Sequence, residues 1–147
     1  IKSIKDPQPN ICYTPHSLLM QQDTAIKPYE TVTYNFKYDL IGIDEAQDAV
    51  IKRTKYFDWF LNTGNYVFNR EKYLERMYDP YVNNEKTFAA DCIAFSYHWM
   101  SRGGLCKIVP NMKYYHRVRS DSYWITCGSN SNSFADYYTQ KIKNLSF

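Results

Sequence analysis

Apolar residues along this chain recur with two different periods, and the switches between them mark its elements. Between Thr31 and Phe36, Val32, Tyr34 and Phe36 alternate with Thr31, Thr33 and Asn35, the two-residue period of a half-buried strand. Leu40 to Ile43 is a short apolar run that predicts a second strand or its continuation. From Asp44 the period changes. Ala46, Val50, Arg53, Phe57 and Phe60 fall at helical spacing, with Ala49 and Leu61 beside them, and Asp44 with Gln47 reads as a capping pair at the helix start. Asn62-Thr63-Gly64-Asn65 is a loop signal, and Tyr66 to Phe68 predicts a short strand. Asn69 can then cap a helix reaching Tyr78, which Asp79-Pro80 stops. The clearest helix runs from Phe88 to Ser101, with Phe88, Cys92, Phe95 and Trp99 on one stripe and Gly103-Gly104 closing it.

Beyond that helix, Lys107 to Val109 and Met112 to His116 predict two strands split by a turn at Pro110-Asn111. Ser133 with Asp136 predicts the cap of a final helix carrying Phe134, Tyr137, Tyr138 and Ile142. The first thirty residues contain Pro7, Pro9, Pro15 and Pro28 and read as mostly loop, with a short strand at Ile11 to Tyr13. Strands and helices in alternation predict an α/β domain, a mixed sheet flanked by helices. The chain carries no repeat, low-complexity tract or linker, so its 147 residues read as a single domain.

Composition narrows the function classes. The 18 basic and 15 acidic side chains leave a net charge of +3, and the basic residues are scattered rather than gathered into a stripe. That argues against a nucleic-acid partner. The 15 tyrosines suit surfaces that stack on sugars or partners, although the bias toward Lys, Asn and Ile accounts for them equally well. Cys12, Cys92, Cys106 and Cys127 include no Cys-x-x-Cys spacing, so a zinc or redox motif is not indicated. Four cysteines can form two disulfides in a secreted chain. Ile1 to Pro9 has no long apolar run, however, which predicts neither a signal peptide nor a transmembrane segment and makes a reducing cytoplasmic compartment the expectation.

Three segments carry a resemblance. Thr63-Gly64-Asn65-Tyr66-Val67-Phe68-Asn69-Arg70-Glu71-Lys72-Tyr73 resembles the Gly-Asn, strand, Arg-Glu, helix segment of family-2-like glycosyltransferases, which there precedes the acceptor site. Ala90-Asp91, at the start of a helix closed by Gly103-Gly104, resembles that family's Glu-Asp element. Cys106-Lys107-Ile108-Val109-Pro110 and Tyr114-Tyr115-His116-Arg117 resemble the strand, proline and histidine that end its catalytic domain. The resemblance implies the acceptor-binding half of a Rossmann-like GT-A domain, transferring a sugar from a nucleotide-sugar donor to a hydroxyl of a carbohydrate or glycan acceptor. It makes Asp91 the general base, His116 a ligand of a divalent Mn or Mg ion, and Gly64, Asn65, Tyr66, Arg117 and Trp124 the substrate-binding residues. Sugar transfer needs a base at the acceptor hydroxyl and a Lewis acid at the departing diphosphate, which is the chemistry those two residue types supply.

This chain departs from the pattern twice. Ala90 replaces the first acid of the Glu-Asp pair, and the family's metal-binding Asp-x-Asp, some ninety residues upstream of that element, falls at or before Ile1. The implied nucleotide-binding half therefore lies outside these residues, and the cation is expected only with it. Bland alternatives exist for each residue. Asp91 is also a favourable first-turn residue on any helix, and His116 could be a hydrogen-bonded strand histidine. His98 reads as structural or surface-facing, His16 as a loop residue, and Trp59, Tyr66 and Tyr123 as core aromatics more often than sugar platforms, with Trp124 the exception. A non-catalytic carbohydrate- or protein-binding module derived from a transferase half is the main rival. Leu40-Ile41-Gly42-Ile43-Asp44-Glu45-Ala46-Gln47-Asp48 also looks like a helicase Walker B strand, but the phosphate-cradling Gly-Lys-Ser/Thr loop that this chemistry needs is missing from the chain.

Overall fold

The computed structural model describes residues 4–22, 30–33, 40–54, 65–77, 91–122, 126 and 129–145. Among them the fold is mixed α/β: a four-stranded sheet and four helices of at least eight residues. The strands are β1 (Ile11–Gln22), β2 (Glu30–Thr33), β3 (Leu40–Ile41) and β4 (Leu105–Val118). Their order across the sheet is β2-β1-β4-β3. The central pair, β1 and β4, is parallel, and antiparallel β2 and β3 close its two edges.

The long central strands correct the sequence reading at two places. Among the described residues of the proline-rich start the strand Ile11–Gln22 outweighs loop, and Pro110-Asn111 does not split β4 into two strands. Both departures share one cause. Between the pairs Pro15↔Val109 and Ser17↔Lys113 the register slips, so one residue of β1 faces three of β4. This bulge absorbs Pro15, which has no N–H to give the ladder, and Asn111, whose φ of 63° is left-handed. Two breakers placed side by side cancel into a kink rather than two strand ends.

Helix α1 (Ile43–Lys52) starts two residues earlier than the Asp44 cap predicts. Gly42 is its N-cap, and the Glu45 carboxylate accepts the Gly42 N–H at 2.8 Å. Gln47 serves elsewhere: its side-chain amide donates to the carbonyls of Ile142 and Leu145 at 2.9 and 2.6 Å, satisfying the end of the last helix. The helix stops at Lys52 rather than continuing to Leu61, because Arg53 turns left-handed at φ 47° and the Thr54 N–H reaches back to Ala49 O at 3.0 Å. Phe57, Trp59, Phe60 and Leu61 lie outside the described residues.

Helix α2 (Arg70–Met77) begins as the sequence indicates, with Asn69 Oδ1 accepting the Lys72 N–H at 3.0 Å. Val67 just before it makes an antiparallel bridge to Tyr13 on β1. Helix α3 (Asp91–Ser101) is described from Asp91 onward, and Phe88 to Ala90 lie outside. It is buried on most sides, through Ile93, Ala94, Phe95, Ser96, His98, Trp99 and Met100. Gly103 at φ 76° ends it, with Gly103 and Gly104 N–H groups returning to Met100 and Trp99 carbonyls. Helix α4 (Ser129–Lys143) starts upstream of Ser133, which is therefore an internal residue and not the cap.

The core lies between the sheet and helices α1, α3 and α4. Trp99, Tyr138, Ile41, Ile93, Met100, Ile142 and Val50 are its largest fully buried side chains. Burying a side chain of this size contributes about 1.5–3 kcal/mol, so this layer dominates the stability of the domain. No helix among the described residues is long and apolar enough to cross a membrane.

Candidate functional site

Asp91 is the first residue of α3, and its side chain is exposed. The same stripe of the helix continues through Phe95 and Trp99 at spacings of four, the spacing of residues stacked one above another on a helix surface. Residues 65–77 cover that stripe from Phe95 to Trp99. Tyr66 lays its ring on Phe95 with centroids 4.6 Å apart, and Phe68 touches both Phe95 and Trp99 at 5.2 and 6.3 Å. Further along, the Arg76 guanidinium covers Trp99 at 4.2 Å from the ring centroid. Asp91 sits one turn beyond Phe95, so its Cβ is roughly 6 Å from that of Phe95. The exposed carboxylate thus stands one helical turn from Phe95, the ring on which Tyr66 is stacked.

Tyr66 is anchored as well as stacked. Its hydroxyl lies 3.0 Å from Ser96 Oγ, and Ser96 in turn donates to Cys92 O at 3.1 Å. One face of Tyr66 is therefore committed to Phe95, which makes the residue a wall of the site before it can be a platform. Next to it, both polar atoms of the Asn65 amide are buried without a hydrogen-bond partner. An unsatisfied buried amide costs about 1–3 kcal/mol. Such a group stands out because buried side-chain amides are nearly always satisfied.

The thiol next to Asp91 is inert by contrast. Burial, reinforced by the Asp91 charge, pushes the Cys92 thiol up to about 12. Arg76, which the sequence reading did not single out, closes the far end of the stripe. It is 6 % exposed, donates to Asn10 Oδ1 at 2.9 Å, and leaves Nη1 buried without a partner. Burial pulls its guanidinium below the ordinary value. Nothing in the spacing of α2 signals that Arg76 would turn inward, because it occupies the basic last turn where solvated Arg is equally favoured.

His116 and Arg117 are placed by their backbone near the end of β4, opposite Met20 and Gln21 of β1. Leu105 to His116 is 116 − 105 = 11 steps, roughly 36 Å of extended strand. The eleven residues of α3, running back from Leu105 toward Asp91, span only roughly 16 Å. Between Leu105 and His116, β4 carries the bulge at 110–112. Gly64 and Trp124, with Tyr123, lie outside the described residues. His98 is buried at 5 % exposure, edge-on to Tyr97 and Tyr138. It is a packing residue. His16 sits in β1 at the bulge rather than in a loop.

Among the described residues no three His, Cys, Asp or Glu side chains gather where they could hold a metal ion. The described residues thus do not by themselves fit the divalent cation that the resemblance implies. No family model, curated protein or solved structure matches the chain.

Proposed function

We propose that this chain is the acceptor-side half of a Rossmann-like GT-A glycosyltransferase domain, with Asp91 as the base that receives the proton of the acceptor hydroxyl. The observation carrying the reading is the arrangement on α3: an exposed carboxylate at the helix start, one turn from an aromatic wall formed by the Asn65-Tyr66 segment. Both segments come from stretches that resemble the transferase pattern, and 91 − 65 = 26 residues separate them in sequence.

In this reading the acceptor oxygen attacks the anomeric carbon of the donor sugar as the bond to the diphosphate breaks, and the released proton goes to an Asp91 carboxylate oxygen. Asn65 and Tyr66 orient the acceptor ring. The donor half supplies the diphosphate and cation sites. Ala90 in place of an acid favours one alternative, a binding module that holds glycans without transferring sugar.

Two measurements separate these outcomes. Oligosaccharides titrated into the isotopically labelled chain should shift the amide resonances of Asn65, Tyr66 and Asp91 together. Shifts at none of the three would remove both readings. In the longer chain carrying the donor half, Asp91→Asn should lower kcat by roughly 100-fold, the scale of a lost general base. Unchanged kcat would leave only the binding module.

A further inference from the structure

Cys12 and Cys106 are direct partners across the parallel pair β1 and β4. Side chains at in-register positions of parallel strands leave the sheet on the same face, here the face that meets the helices. Both residues have no exposed surface and belong to the central core cluster. Their sulfur atoms are 2.7 Å apart. Adjacent strands lie about 4.8 Å apart, inside the Cα separation of about 4.4–6.8 Å that a disulfide spans. From this placement we propose that Cys12 and Cys106 form a disulfide that staples the two central strands, closing without movement of the backbone.

Four cysteines allow six single disulfides, and the register of β1 on β4 selects Cys12–Cys106 among them. The reaction is thiol–disulfide exchange with a small-molecule disulfide such as glutathione disulfide. One cysteine thiolate attacks the oxidant, forming a mixed disulfide and expelling one thiolate. The second cysteine, as thiolate, attacks the protein sulfur of that mixed disulfide and expels the other. The protein loses two protons and two electrons, and the oxidant becomes two thiols. Burial, together with the neighbouring Cys12 thiol, holds the Cys106 thiol well above its ordinary value. The folded dithiol is therefore slow to react, and closure belongs to folding or to opening of the β1–β4 pair. In a reducing cytosol the pair rests as the dithiol, and oxidising conditions close it.

The test is refolding of the reduced 147-residue chain in a mixture of oxidised and reduced glutathione, followed by alkylation in urea, where every free thiol is reached, and non-reducing peptide mapping. One linked peptide pair, Cys12 with Cys106, is expected, with Cys92 and Cys127 alkylated. The oxidised chain should melt higher than the reduced chain by on the order of 10 °C, given the long loop closed. Four alkylated thiols in a chain with native circular dichroism would overturn the proposal, as would a dominant linkage through Cys92 or Cys127. The Cys92→Ser/Cys127→Ser double variant retains only the proposed pair and should close fully. Its refolding with two free thiols would sink the proposal on its own.

Discussion

Replacing Gly104 with alanine probes the joint that seats the Asp91 helix on the sheet. The Gly104 N–H donates to Trp99 O at 2.9 Å, immediately before β4 begins. A Cβ on Gly104 would stand 2.5 Å from Trp99 Cδ1, Nε1 and O. Trp99 has nowhere to retreat. It is fully buried, its Nε1 donates to Leu105 O at 3.0 Å, and Arg76 covers its ring. Overpacking by a methyl group costs about 1–3 kcal/mol, and loss of the indole hydrogen bond adds about 0.5–1.5 kcal/mol. The expected destabilisation is about 2–4 kcal/mol, a fall in Tm of roughly 5–15 °C for a chain of this size. Gly103→Ala is the internal control: its Cβ would meet nothing within 4 Å, so only the left-handed φ of 76° is penalised, about 1–2 kcal/mol. Urea unfolding of both variants, followed by tryptophan fluorescence, measures the difference. A loss at Gly104→Ala no larger than that at Gly103→Ala would refute the packing argument, because the Trp99 joint would then tolerate the methyl group better than the clash allows.

Arg53→Gly should have the opposite sign, since Arg53 ends α1 at φ 47°, where glycine relieves backbone strain. A gain of about 1 kcal/mol is expected, read as a Tm increase of a few degrees; a loss would mean the Arg53 side chain contributes more than its backbone costs. Cys92, pushed up to about 12 from an ordinary 9.0, should resist iodoacetamide at pH 8 in the folded chain and react promptly in urea. Its raised value favours the protonated thiol in the folded state. Its contribution is therefore intact below pH 9 and lost between about 9 and 12, at about 1.4 kcal/mol per pH unit. Cys92→Ala should flatten that part of the stability profile, and an unchanged alkaline slope would assign it to other groups.

Local signals were legible where one residue decides the outcome. Asn69 caps α2 and Gly103 ends α3 because a side-chain oxygen and a missing Cβ act within a few residues. Long-range pairing was not legible. Pro15 and Pro110-Asn111 are each strand breakers in isolation, and only their apposition across β1 and β4 turns them into one bulge. Arg53 illustrates the converse. Helical periodicity continues past it to Phe57 and Phe60, yet a non-glycine residue takes the left-handed position and the helix ends. Intrinsic preferences of about 1 kcal/mol are easily outweighed by tertiary packing.

The same division explains what could be foreseen of the site. Asp91 at a helix start and Tyr66 on a short extended segment are both readable from spacing, because each depends on its own element. The link between the two segments is Phe95, which stacks on Tyr66 and lies one helical turn from Asp91. A stripe of Phe, Phe and Trp announces burial but not its partner, since any apolar surface would satisfy it. The partner is set by Val67, whose backbone bridges Tyr13 on β1 and so fixes where Tyr66 and Phe68 meet α3. The aromatic wall beside Asp91 is thus a consequence of two backbone hydrogen bonds, Tyr13 N–H to Val67 O at 2.8 Å and Val67 N–H to Tyr13 O at 2.9 Å. Backbone pairing carries no side-chain signature, so the placement of this wall had to come from the folded chain.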